Sequence, residues 1–365
     1  MSDSAIRPVP RLATELFGHE AAERTILEAW NSKRMHHAWL IAGPRGIGKA
    51  TLAYRVARFV LAQGGGAPGG MFGDAPAPAD SLGVALDHPV ARRVNAGGHS
   101  DLATIERSIN PKGGKLRSEI VVDDVRRLSS FLALTTGEGD WRVVVVDAAD
   151  EMNRSAANAL LKGLEEPPAR TLFLLVSHQP GRLLPTIRSR CRMLALSPLP
   201  DDTVVALLRQ MEPETGEDDA RLLARLAGGS IGEALTLADT GGLDLYRELV
   251  GHLSKIGHVD VRGLHALGDR LARAGAEDSF NMLGRLIDRW LATMIRDRAR
   301  GTDIPEILAG EQAVARDLWA RGGLAKWLEV WENVTRLFAQ AGSVHLDRKQ
   351  VVVSAFLALE DAVRG

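Results

Sequence analysis

Residues Trp39 to Thr51, WLIAGPRGIGKAT, leave few folds open to this chain. A short apolar run, Trp39 to Ala42, feeds the turn Gly43, Pro44, Arg45, Gly46, Ile47, Gly48, which Lys49 closes. Leu52, Ala53, Val56, Ala57, Phe59 and Val60 then recur at helical spacing. Strand, glycine turn and helix in that order are the setting in which G-x-x-x-x-G-K cradles phosphate. Backbone N–H groups converge at the glycines, the new helix offers its positive end, and the lysine neutralises charge. One position departs from the pattern: Ala50 stands where Ser or Thr would hold magnesium. Thr51 is a poor replacement, because one residue along a helix turns the side chain by about 100°. Nucleotide binding stays open, and the lost hydroxyl argues against efficient hydrolysis.

The neighbouring segments suit such a loop. Arg142 to Asp147, RVVVVD, carries four consecutive valines and reads as a strand covered on both faces, as in a parallel sheet. Leu102–Glu106, Thr171–Ser177 and Arg192–Leu196 read as further strands. Residues 11–34 look helical, with a turn at Gly18-His19-Glu20 just ahead of a helix starting near Ala21, and a further helix is expected over Ile120–Leu134, capped around Asp123. Another is expected over Ser155–Glu166, stopped by Pro167-Pro168. The alternation implies an α/β fold, a doubly wound parallel sheet with helices on both faces, over residues 1–198. Within it, the Gly, Ala and Pro of 64–86 suggest a mobile insertion. From about Pro200 the pattern turns helical, with one short β-like run, Val351 to Val353. Gly228-Gly229-Ser230 breaks it, and Trp290, Trp319, Trp327 and Trp331 at helical spacing read as a helical core or subunit interface.

With 45 basic and 46 acidic side chains the formal charge is -1, which argues against coating nucleic acid through bulk charge. The turn Lys112 to Arg117 could meet a phosphate backbone, but a solvated basic loop explains it better, and no aromatic residue interleaves it for stacking. Cys191 is the lone cysteine, so neither a disulfide framework nor a cysteine zinc site is expected. His36-His37 and His88/His99 lack companions at metal-ligand spacing, so no metal site is expected. The opening MSDSAIRPVPR has no apolar core, and no later run is long enough to span a bilayer. A cytoplasmic protein with no membrane partner is the expectation.

Two further groups carry candidate chemistry. Asp147 ends a buried strand, where a carboxylate orients magnesium through water; capping of the next turn is its plainer reading. Ala148 follows, where a hydrolytic enzyme places the glutamate that polarises water, and Asp150 and Glu151 lie too far along the turn to substitute readily. Arg182, Arg188, Arg190 and Arg192 cluster before a strand. They are either a solvated face or a source of a guanidinium that reaches a phosphate bound elsewhere.

HHAWLIAGPRGIGK, VVVVDAADEMNRSAANALLKGLEEPP, LLVSH and IRSRCRMLAL, in that order, resemble the AAA+ subunits of the bacterial DNA polymerase III clamp loader. The delta-prime members are more similar than the gamma/tau motors. The resemblance implies a RecA-like domain over 1–198, a small helical lid over 199–242 and a helical collar over 243–365 that holds a hetero-pentamer with gamma/tau and delta. It implies a stator role in ATP-driven loading of the sliding clamp onto primed DNA, as part of the DNA polymerase III holoenzyme, a DNA-directed DNA polymerase and nucleotidyltransferase. Carried over by residue, Gly43 to Thr51 match the nucleotide-binding loop, Asp147 the Walker B aspartate and Ser177 the sensor 1 position. Ser189-Arg190-Cys191 matches the motif whose arginine enters a neighbouring subunit's ATP site. Ala50, Ala148 and Gly232, the last in place of a sensor 2 arginine, depart from the hydrolytic pattern. ATP or ADP bound with little or no magnesium, no zinc, and absent or very weak ATPase are therefore expected. The alternative is an active gamma/tau-like AAA+ motor using Thr51 and Glu151 as stand-ins.

Overall fold

Four valines in a row demand apolar cover on both sides, and they have it. In the computed structural model, which describes residues 9–64, 78–111, 113–137, 139–344 and 346–364, Val143 to Val146 are fully buried. The chain divides into two compact units, Met1–Thr203 and Val204–Gly365.

The first unit runs α1 (Glu20–Asn31), β1 (Ala38–Ala42), α2 (Lys49–Gly64), α3 (Pro89–Ala96), β2 (Leu102–Glu106) and α4 (Val122–Ala133). It continues through β3 (Arg142–Asp147), α5 (Arg154–Glu165), β4 (Thr171–Ser177), α6 (Pro185–Arg188) and β5 (Arg192–Ala195). The strands form one parallel sheet in the order β2-β3-β4-β1-β5. Successive side chains of a strand point to opposite faces, so each central strand feeds two cores. Trp39, Ile41, Val143, Val145, Leu172 and Leu174 meet Ile26 of α1 and Leu52, Val56 and Phe59 of α2. Leu40, Val144, Val146, Phe173 and Leu175 meet Val125 and Leu128 of α4 and Leu160 and Leu164 of α5. Each such side chain contributes roughly 1.5–3 kcal/mol by leaving water.

Helix α1 starts at Glu20, beside the expected start near Ala21, and the residues from 11 up to the turn are not helical. The carbonyls of Arg11 and Ala13 accept hydrogen bonds from the buried Arg58 guanidinium, and that of Thr14 from Arg55. Oxygens used this way are not available to a helical turn. Helix α4 is capped at Val121 rather than around Asp123, with the Asp124 carboxylate accepting the Val121 N–H at 2.9 Å. Of the stretch 64–86, Gly64 closes α2 and residues 65–77 lie outside the described residues. Residues 78–86 form no helix or strand, yet Asn31 holds both backbone groups of Ala79 and Leu82 is buried. Lys112 of the basic turn also lies outside the described residues; on either side, Ile109 and Leu116 pair as an antiparallel bridge.

Helix α7 (Asp201–Met211) runs across the boundary between the units. The second unit is helical: α8 (Glu217–Ala227), α9 (Ile231–Asp239), α10 (Gly242–Leu253), α11 (Val261–Ala272), α12 (Glu277–Ala299), α13 (Glu311–Val344) and α14 (Arg348–Arg364). The break at Gly228-Gly229-Ser230 separates α8 from α9: Gly228 takes the left-handed conformation at the end of α8, and the Ser230 hydroxyl accepts the Glu233 N–H. Trp290 and Trp327 are buried, as a helical core requires. Val351 to Val353 belong to α14 and not to a strand, because Val351 and Val352 are buried on a helix whose neighbours are α11 and α13. Packing overrides β propensity here. Helix α13 carries a non-helical residue, Gly323, at φ 68° and ψ 178°.

Candidate nucleotide site and arginine turn

In an open parallel sheet, ligands meet the carboxyl ends of the strands, and the candidate residues gather at that edge. The loop leaves β1 through Gly43, whose N–H donates to the Ser177 carbonyl at the end of β4 (3.3 Å). Gly43, Gly46 and Gly48 have φ of 152°, 76° and 104°. A Cβ on Gly43 would lie 2.4 Å from the Leu196 carbonyl oxygen, so this position admits no side chain without displacing the backbone beyond β5. The loop is braced from outside by His19, whose Nε2 lies 2.6 Å from the Ile47 carbonyl oxygen.

Lys49 opens α2 and is buried, its Nζ donating to the Pro44 carbonyl within the loop. Burial lowers its pKa to about 8, with Asp147 and Asp150 pulling the other way. Asp147 ends β3 in register with Glu106, the last residue of β2. Burial, and after it the charges of Glu106 and Glu151, raise the Asp147 pKa to about 6, with Lys49 opposing. Ser177 is fully buried at the end of β4. His178 is pushed down to about 4, chiefly by burial and then by Lys49, so it is neutral at pH 7.

The two carboxylates beyond Ala148 are both engaged. Asp150 accepts the backbone N–H groups of His178 (2.8 Å) and Gln179 (3.1 Å). Burial works against its charged form, but the His178 N–H and its neighbours hold the carboxyl below the usual carboxylate range. Glu151 sits between two guanidinium groups, 2.8 Å from Arg107 Nε and 3.7 Å from Arg45 Nη2. Arg45, Glu106, Arg107, Asp147, Glu151 and His178 line an open cavity of about 310 Å³. Glu106 and Arg107 escaped sequence reasoning because their place beside Asp147 follows only from β2 and β3 being neighbours; the one local hint was a charged pair ending a strand-like run.

These residues fit a nucleotide's phosphates better than its magnesium. The glycine turn, the start of α2, Lys49, Arg45 and Arg107 all favour anions. The metal side is poor, since Ala50 has no oxygen to offer and Asp147 resists ionisation more than an ordinary aspartate. Among the described residues, no group of three or more His, Cys, Asp or Glu comes together to hold a metal ion. His88 instead accepts the Val90 N–H at the start of α3, and His36 stacks on His37.

The raised Asp147 pKa has a measurable consequence. Its folded value, about 6, lies above the 3.8 of an ordinary aspartate. The folded state therefore holds the proton more tightly, and stability falls as pH rises from about 4 to about 6. Above that window the full cost, up to about 3 kcal/mol, is present. Asp147→Asn removes the group, so thermal melting should show the variant gaining on the natural chain across that interval and holding the gain at pH 7. A pH-independent difference would contradict the assignment.

The arginine turn lies elsewhere on the sheet, between α6 and β5. Arg190 Nη1 donates to the Thr186 carbonyl (3.0 Å) and Nη2 meets Glu165 Oε1 of α5 at 2.8 Å, with about a third of the side chain exposed. Arg192 instead lies over the Trp39 ring, 4.7 Å from its centroid, while Arg182 and Arg188 are exposed. Burial raises the Cys191 thiol to about 11, so it is a packing group rather than a nucleophile at pH 7.

The chain is similar to known proteins over the region that carries these residues. A family model described as DNA polymerase III, delta subunit, matches residues 18–200. The DNA polymerase III subunit delta' of Pseudomonas aeruginosa is 38% identical over 222 residues, covering 60% of this chain and 61% of that protein. The corresponding Escherichia coli subunit is 37% identical over 213 residues, covering 58% and 57%. The gamma/tau subunit of Mycobacterium bovis is 31% identical over 361 residues, covering 95% of this chain and 57% of that protein. In each case the match spans less than two thirds of the relative's own length.

Proposed function

The chain belongs to the DNA polymerase III delta subunit family of AAA+ clamp-loader proteins, and from that premise we propose that it is a stator subunit of the delta-prime kind. Its task would be structural and electrostatic: to stand beside gamma/tau and delta in a cytoplasmic hetero-pentamer that loads a sliding clamp onto primed DNA. Arg190 would enter the ATP site of the adjoining subunit. Helices α7 to α9 would form a small lid and α10 to α14 the collar that joins the pentamer.

One observation carries the stator reading: the two carboxylates that follow Ala148 along the turn, Asp150 and Glu151, are both committed to other partners. Ala148 occupies the place of the glutamate that polarises water, Asp150 is committed to two backbone N–H groups, and Glu151 to two guanidinium groups. The loop's anion-binding parts remain, so ATP or ADP would serve as a structural ligand with little need for magnesium. The purified chain alone should show no ATP turnover above background. A fluorescent ADP analogue should bind with affinities that agree within about threefold with and without magnesium. Rapid turnover by the isolated chain would sink the proposal.

The gamma/tau match over 95% of the chain favours a second reading, an active motor. In that case Lys49→Ala would abolish an activity that the stator reading says is absent.

A further inference from the structure

The helical unit contains a cavity of about 120 Å³ beside α8, α10 and α12. Its floor is aromatic, formed by the buried Tyr246 and Trp290. Both turn their polar atoms to the buried carboxylate of Glu311: Tyr246 Oη and Trp290 Nε1 donate to Oε1, the latter at 2.9 Å. The N–H groups of Ile307 and Leu308 donate to Oε2, each at 3.0 Å. With four donors on two oxygens, Glu311 has little capacity left for the cations on the cavity wall.

Those cations are Arg225, Arg289 and Arg296. Arg296 is engaged by its neighbour Asp297 at 2.9 Å. Among the described residues, the side chains of Arg225 and Arg289 make neither an ion pair nor a hydrogen bond. The Arg289 guanidinium lies over the turn that ends α8, so close that a Cβ on Gly228 would sit 2.7 Å from Nη2. The carboxylate whose field reaches it, Glu233, is itself paired with Arg285 at 3.3 Å. Burial accordingly lowers the Arg289 pKa, with Glu233 and Tyr246 opposing. The side chains of Arg225, Arg289 and Arg296 are all open to solvent, so an oxyanion entering the cavity can accept their forked N–H groups in charge-assisted pairs.

We propose that the cavity walled by Arg225, Arg289 and Arg296 binds a small free tetrahedral oxyanion, phosphate or pyrophosphate. The recess of about 120 Å³ has room for one or two phosphoryl groups. The Thr293 hydroxyl, also on the wall, supplies a further donor.

Isothermal titration of the full chain with phosphate and with pyrophosphate, at ionic strength held constant with chloride, tests this. Saturable binding is expected to weaken at least about tenfold in Arg289→Ala, with Arg289→Lys in between because it keeps the charge but loses the fork. Lys49→Ala, which disables the phosphate loop, should leave that binding in place. Arg225→Ala serves the same comparison should Arg289→Ala fail to fold. The proposal is overturned by the lack of saturable binding up to about 10 mM. It is equally overturned by binding that survives both arginine changes and disappears in Lys49→Ala, or by a short single-stranded oligonucleotide competing for the site better than pyrophosphate.

Discussion

Replacing Arg190 by alanine is expected to lower turnover at the adjoining ATP site by about 10³-fold, the lower end of the range for a guanidinium supplied in trans. The measurement is the ATPase of a reconstituted assembly in which that adjoining site is the competent one. The isolated chain should melt within a degree or two of the natural one. Its Arg190–Glu165 pair is a half-exposed ion pair at 2.8 Å, and pairs of that kind contribute about 0–1 kcal/mol. Arg190→Lys should recover little, because the ammonium cannot present two donors in one plane. Glu165→Gln should retain full turnover, since it frees the guanidinium without removing it. An assembly indifferent to Arg190→Ala would remove this residue from the reaction.

The second large effect concerns stability. Glu311→Ala leaves the Tyr246 hydroxyl, the Trp290 indole N–H and the N–H groups of Ile307 and Leu308 without an acceptor. Orphaned buried donors cost about 1–3 kcal/mol each, less whatever water enters to serve them. A loss of about 4 kcal/mol, seen as a fall of about 10 °C in the melting of the helical unit, is expected. Glu311→Gln should fall between, because an amide can accept at one end while its NH₂ group meets donors at the other. Burial first, then the Glu311 charge, holds the Tyr246 phenol well above its ordinary pKa, so this hydrogen bond should persist throughout the working pH range. A Glu311→Ala chain that melts with the natural one would show that water fills the carboxylate's place at no cost.

What could be read from the sequence divides along physical lines. Features with local causes were legible. The glycine turn needs positive φ at Gly43, Gly46 and Gly48, and the valine run and Thr171–Ser177 require two covered faces. Features caused by distant partners were not. The residues ahead of the Gly18 turn look helical until Arg55 and Arg58, far along the chain, take the carbonyls of Arg11, Ala13 and Thr14. Val351 to Val353 look like a strand until a neighbouring pair of helices buries the first two of them. The site divides in the same way. Lys49, Ala50, Asp147 and Ala148 could be named from the motif and its departures. Arg107 and Glu106 become visible only once β2 lies beside β3, and Glu151 acquires its restraint from Arg107 together with Arg45 of the loop. In the helical unit, Glu311 resembles any surface glutamate near the start of a helix until four donors converge on it.

The interruption of α13 at Gly323 has a consequence for tolerance to change in chain length. In an unbroken helix, one inserted residue turns every side chain beyond it by about 100° and takes the far end out of register with its neighbours. At Gly323 the backbone leaves helical geometry, and Trp327 reaches back across the break to donate its indole N–H to the Leu318 carbonyl at 2.9 Å. The two arms of α13 therefore keep separate phases. A residue gained or lost in the first arm need not rotate Val330 and Val334, two of the buried positions of the second. The joint lets the length of one arm drift while the contacts of the other stay fixed.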